Sequence, residues 1–89
     1  MPSITLDIIN QLGLHARAAA KLTQTAEKFS STISVSKDDI QINAKSIMQV
    51  MMLAAGKGSE ITIHAEGDDA EEALAALAEL INNYFDEGE

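Results

Sequence analysis

The run Gly13-Leu14-His15-Ala16-Arg17-Ala18-Ala19-Ala20 sets an imidazole and a guanidinium two residues apart where a helical pattern begins. From Ala16 to Lys28 β-branched residues are few, and Ala19, Leu22, Ala26 and Phe29 fall on one apolar stripe. Gly13 permits a turn ahead of that helix which other residues resist. His15 is therefore expected at or beside the N-cap, where N–H groups without intrahelical partners and the positive end of the helix dipole favour an anion. A phosphate carried on the ring would be received by those N–H groups. Arg17, inside the first turn, offers a planar fork of donors that suits phosphate oxygens. The plainer reading is a histidine that merely opens a helix beside a solvated arginine, and spacing alone leaves both readings open.

Six further segments must position these two residues. Ser3 to Ile9 alternates as a half-buried strand, with Ile4, Leu6 and Ile8 on its inner face. A second strand from Thr32 to Ser36 turns Ile33 and Val35 inward, the polar turn Lys37-Asp38-Asp39 follows, and Ile40 and Ile42 continue the alternation to make a hairpin. Ser46, with Gln49 three residues on, reads as a capping box that opens a short second helix. Ile47, Val50, Leu53 and Ala54 form the stripe by which that helix enters the core, which leaves Met48, Met51 and Met52 pointing elsewhere. Methionine adapts well to partner surfaces, so Met48, Met51 and Met52, with Ile47 and Ala20, are read as a docking patch rather than as core filler.

Gly56-Lys57-Gly58 lacks the remainder of a phosphate-binding loop and is expected to cap the short helix and turn the chain. Glu60 to Glu66 is a fourth strand with Ile61, Ile63 and Ala65 inward and Thr62 and His64 outward; nothing around His64 has metal-ligand spacing, so no metal site is expected. After Gly67, either Asp68 or Asp69 can cap the last helix, with Glu71 and Glu72 in its first turn favouring the dipole. Ala70, Ala73, Leu74, Leu77, Leu80, Ile81 and Tyr84 form its core stripe, and Asp86 to Glu89 is a short acidic, solvated tail.

The order β-α-β-β-α-β-α predicts an α+β fold, a four-stranded antiparallel sheet with three helices on one face, as a single domain over residues 1–89. The formal charge of −8, from 14 acids against 6 lysines and arginines, argues against nucleic acid as a partner. An acidic surface also repels a phosphoryl donor, which gives weight to the cations near the site: Arg17, Lys21, Lys28 and Lys45 are candidates for a local basic patch, Lys28 the first to be assigned to plain surface. There is no cysteine, no secretion signal and no apolar run of membrane-spanning length, so the cytoplasm is the expected compartment.

Gly13-Leu14-His15-Ala16-Arg17, followed by Ala19-Ala20, resembles the active-site motif of the histidine-containing phosphocarrier (HPr) family of the bacterial phosphotransferase system. Ala44-Lys45-Ser46-Ile47-Met48, running on to Gly58, resembles that family's regulatory serine segment at the expected distance. With the matching order of elements, the resemblance covers essentially the whole chain. Ala18 stands where the family usually has proline, and Ala16 where threonine is frequent. Proline at a helix opening is pre-organised but not obligatory, so the helix start should survive.

The resemblance implies an open-faced two-layer sandwich. It implies that His15, through Nδ1, accepts a phosphoryl group from phospho-enzyme I, charged in turn by phosphoenolpyruvate, and passes it to an enzyme IIA-type protein. The backbone N–H groups of Ala16 and Arg17 and the Arg17 guanidinium would hold the phosphate. Such a protein is a carrier with a covalent phosphohistidine, not an independent turnover enzyme; it needs no cofactor, and a monomer is expected. The same resemblance offers Ser46 as the target of a dedicated serine kinase, although the capping box already accounts for that serine. An acyl carrier is disfavoured because Ser46 lies between Lys45 and Ile47 rather than between Asp and Leu. The remaining rival is an HPr-like regulatory module that docks proteins without transferring phosphate. Asn10-Gln11 and Phe85-Asp86-Glu87 resemble the nitrogen-type branch; the choice between it and sugar uptake stays open.

Overall fold

The computed structural model describes residues 2–86, so the expected acidic tail lies, beyond Asp86, outside the described residues. Its elements are β1 (Ser3–Asp7), α1 (Ala16–Ala26), β2 (Thr32–Lys37), β3 (Ile40–Asn43), α2 (Ile47–Met52), β4 (Glu60–Glu66) and α3 (Ala70–Asn82), followed by a 3₁₀ turn at Tyr84–Asp86. The strands form one antiparallel sheet in the order β1-β4-β2-β3. Alternation decides its two faces. Ile63 of β4 lies opposite Val35 of β2, which lies opposite Ile42 of β3, and these side chains are buried beneath the helices. The opposite face carries Thr5, Ser34, Ser36, Thr62 and His64, with the Thr5 and Thr62 hydroxyls 3.0 Å apart. The three helices cover the inner face with Leu22, Val50, Leu53, Leu77 and Ile81, each fully or almost fully buried and each contributing roughly 1.5–3 kcal/mol of apolar transfer.

Several local expectations are corrected. Helix α1 stops at Ala26, two residues early, because Lys28 and Phe29 donate to the carbonyls three residues back, at Thr25 and Ala26, and tighten the chain out of the helix; Phe29 is half-buried. Ile40 is exposed, since it lies at the hairpin end of the edge strand β3. In α2 only Val50, with Leu53 just beyond, enters the core, while Ile47 and Ala54 stay outside: six residues turn a single narrow stripe inward. Nor do the glycines end α2. Ala54 itself takes the left-handed conformation, at φ 51, and Gly56–Gly58 instead forms a turn whose Gly58 N–H donates to the Ile8 carbonyl at 2.7 Å.

At the far end of the chain, Tyr84 and Phe85 are both left-handed, with φ 55 and 54, so the path bends after Asn83. Tyr84, expected on the core stripe, is thereby turned outward, and Phe85 is fully buried in its stead. Asp69 occupies the N-cap place of α3 without a side-chain cap bond. Its carboxylate accepts instead from the turn after α1, from the Ser30 N–H at 2.9 Å, the Ser31 N–H at 3.0 Å and both serine hydroxyls. Those bonds, the Ser31 hydroxyl first and the Ser30 N–H second, hold the Asp69 carboxyl below the usual carboxylate range.

Candidate functional site

The site is built from the loop that joins β1 to α1. Asn10, buried, donates through Nδ2 to the Gly13 carbonyl at 2.9 Å, and the Gly13 N–H returns to the Asn10 carbonyl at 3.3 Å. Gly13 sits at φ +63, and a Cβ there would meet the Ala55 carbonyl oxygen at 2.5 Å and the Gly56 Cα at 2.7 Å. Both its conformation and its surroundings therefore require glycine. Leu14, buried, donates its N–H to that Ala55 carbonyl at 2.9 Å, so the loop is fastened to the segment that follows α2.

On this base His15 takes the N-cap of α1 in extended conformation, φ −72 and ψ 176, and its carbonyl accepts the Ala19 N–H at 2.8 Å. The ring makes no capping bond, and the residue is half-exposed. Ala16 and Arg17 follow, both exposed, in a first turn whose N–H groups have no partner within the helix. That turn contains no acid. Ala18, where the resemblance leads one to expect proline, is fully buried, and the helix opens at Ala16 all the same.

The expected basic patch is not assembled in full, because two of its lysines lie at the far end of α1. Helix α1 is about 16 Å long. Lys28 lies just past its far end, beside Thr25, Ala76, Glu79 and Leu80 in a shallow groove between α1 and α3. Lys45 reaches the same end, where Nζ donates to the Phe29 carbonyl at 2.7 Å. Lys21 donates to the Phe85 carbonyl at 2.9 Å. Arg17 stands in the first turn beside His15, with Lys21 one turn further along α1.

Two of these contacts also orient α2. One end of the α2 segment is tied to the start of α1 (Ala55 to Leu14) and the other to its finish (Lys45 to Phe29), so the two helices run antiparallel. Met51 and Met52 consequently lie toward the His15 end, and Ser46 lies toward the other. Met48, Met51, Met52 and Ile47 are all exposed, and Ala20 is half-buried on α1. Leu12, in the loop before Gly13, is exposed as well; lying in neither helix nor strand, it carries no periodic signal.

Ser46 is the N-cap of α2, and Oγ accepts from the Gln49 N–H at 3.3 Å. The reciprocal half of the box is not made. The Gln49 side chain passes Ser46 and accepts from the Asn43 N–H at 2.9 Å, while the Ser46 N–H donates to the Asn43 carbonyl at 3.1 Å. His64 is remote from all of this, on the polar face of the sheet, with Nε2 at 3.5 Å from the Ser36 hydroxyl.

Comparison with known proteins places this arrangement. Residues 2–83 match the family model PTS-HPr, described as the HPr component phosphorylation site of the phosphotransferase system. Phosphocarrier protein HPr of Neisseria meningitidis is 55% identical over 85 residues, 96% of each chain, and that of Pseudomonas aeruginosa is 53% identical over the full length of both. A crystal structure of HPr from Thermoanaerobacter tengcongensis superposes with a TM-score of 0.94 at 52% identity, covering 98% of each chain. A family match over nearly every residue, relatives more than half identical and a shared open-faced sandwich mean that the chain belongs to the HPr family of phosphocarrier proteins of the phosphotransferase system.

Proposed function

We propose that His15 is the phosphoryl acceptor, taking the group from phospho-enzyme I and delivering it to a histidine of an enzyme IIA-type protein. The observation that carries this reading is the opening of α1: a half-exposed histidine at the N-cap, an arginine two residues on, and no acid in the first turn. The neutral ring nitrogen attacks phosphorus, the P–N bond to the donor histidine breaks, and a P–N bond to His15 forms. Such a transfer asks for alignment and for support of spread negative charge. The N–H groups of Ala16 and Arg17 and the Arg17 guanidinium supply that support. An open helix start also lets the group leave, as a carrier requires and an enclosed pocket would not. The chain works as one unit over residues 1–89, as a monomer in the cytoplasm, without cofactor and without turnover of its own.

Partners dock on Ala20, Ile47, Met48, Met51 and Met52, with Leu12 at the margin, so that one apolar surface leads to His15. Phosphate on Ser46 would add about −1.5 to −2 charges at the far end of that surface, where the opening of α2 tolerates them, and would hinder encounter without unfolding the domain. A regulatory module that only docks proteins would have no use for the His15 and Arg17 pair.

Intact-mass measurement after incubation with phosphoenolpyruvate and enzyme I tests the reading. One acid-labile, base-stable phosphoryl group is expected, lost in His15→Ala and kept in His64→Ala. No adduct, or an adduct on His64, would remove the carrier reading in favour of the regulatory one. In the same assay Met48→Glu with Met51→Glu should weaken enzyme I binding by about tenfold, ~1.4 kcal/mol, and Ser46→Asp should slow charging. Unchanged affinity would discard the docking surface, and an unchanged rate would leave Ser46 as a cap alone.

A further inference from the structure

We propose that Met48, Met51 and Met52 form a reversible oxidation site that disconnects the carrier from its partners under peroxide stress. The inference rests on the docking role given to these residues above. Half of the six residues of α2 are methionines, and they are 76%, 44% and 67% exposed. The core takes only Val50 from this helix. Leucine or isoleucine would present the same apolar area; Ile47 and Leu12 do so already, and neither can be oxidised under mild conditions. The chain has no cysteine, so its response to a soft oxidant has to pass through thioether sulfur. Apart from these three, that means only Met1.

The chemistry is a two-electron oxygen transfer. A thioether lone pair attacks one oxygen of hydrogen peroxide, the O–O bond breaks, and the second oxygen leaves as water after proton transfer. Sulfur is oxidised to the sulfoxide and the peroxide is reduced to water. The product is polar where the thioether was apolar, and methionine sulfoxide reductases reverse it. None of the three side chains lies in the core, so the sulfoxides leave the fold intact while the docking surface loses its apolar character. Met48 and Met52, the most exposed, should react before Met51.

The test treats the whole protein with hydrogen peroxide, maps the sulfoxides by peptide mass, and follows phosphoryl transfer from phospho-enzyme I. Conversion at Met48 and Met52 should lower transfer at subsaturating protein about tenfold, with the circular dichroism melt retained, and methionine sulfoxide reductases A and B should restore the rate. A triple variant, Met48→Leu, Met51→Leu and Met52→Leu, keeps Met1; whatever its starting rate, that rate should not fall on treatment. Full conversion at the three positions with an unchanged rate overturns the proposal, as does equal inhibition of the triple variant. Failure of the untreated protein to accept phosphate on His15 is a separate result and removes the carrier reading together with the switch built on it.

Discussion

The turns ahead of α1 and α3 each carry a glycine that lets one segment sit hard against another, yet the helices they open are charged in opposite ways. A Cβ on Gly13 would strike the Ala55 carbonyl and Gly56, and a Cβ on Gly67, at φ +148, would strike Ser31 at 2.6–3.0 Å. In both, the N-cap side chain makes no capping bond. Helix α3 then places Glu71 and Glu72 in its first turn and uses the Asp69 carboxylate to hold the Ser30–Ser31 turn. Helix α1 has no acid there and has Arg17 instead. One start neutralises its dipole with its own carboxylates, as a structural helix should. The other has a cation in that turn, which the helix dipole alone does not favour and which is intelligible if an anion is carried on His15.

The substitution that breaks this contrast most severely is Arg17→Glu, which gives α1 the charge pattern of α3. Stability should rise by about 0.3–1 kcal/mol, since an acid replaces a cation at a helix N-terminus. Transfer to His15 should fall roughly 10²–10³-fold, because the support for the moving charge has become repulsion. Urea denaturation and charging kinetics on one preparation give both numbers. Loss of stability together with activity would mean that Arg17 holds the fold, and the contrast between the two helix starts would then carry no functional meaning.

How far this contrast could be read beforehand differs between its parts. The strands, the hairpin and the core of α3 were legible because alternation and helical spacing are local; Ile61, Ile63, Leu77 and Ile81 are buried as their periodicity requires. His15 at the N-cap was legible for the same reason, with glycine before it and helix formers after it. The partners of polar side chains were not legible. Asp69 looks from the sequence like an ordinary cap and in fact bridges 38 residues to Ser31; Gln49 looks like half of a capping box and binds Asn43. Lysine partners were not legible either, because long flexible side chains such as Lys45 and Lys21 find carbonyls that only the tertiary fold brings near. Tyr84 was misassigned because two consecutive left-handed residues leave no mark in hydrophobic spacing.

Replacing the two glycines one at a time sharpens the comparison at a smaller scale. Gly13→Ala and Gly67→Ala each force a positive φ on a residue with a Cβ and push that Cβ into backbone or an adjacent side chain, so each should cost about 1–3 kcal/mol of stability. Only Gly13→Ala should also slow charging of His15, because only that turn sets the position of the imidazole. Chemical denaturation and transfer rates separate the two. An equal loss of transfer in both variants would attribute the effect to general destabilisation and not to the His15 loop.

The smallest effect is expected at the α3 start and depends on pH. The Asp69 carboxyl is held below its ordinary value of 3.8 by the Ser31 hydroxyl and the Ser30 N–H. A carboxylate whose folded pKa is depressed contributes stability that is fully present above its unfolded pKa and is lost as pH falls through the folded one. Asp69→Asn should therefore lower Tm by a few degrees at pH 7, and the gap to the unsubstituted protein should close as the solution is taken below about pH 4. The phosphoryl-transfer rate at pH 7 should be unchanged, since this carboxylate serves the turn after α1 and lies at the opposite end of that helix from His15. Thermal melts between pH 7 and pH 3 measure the first effect and charging assays the second. A Tm gap that stays constant with pH would mean that the hydrogen-bond geometry matters and the charge does not, and a slowed transfer would tie the structural helix start to the functional one.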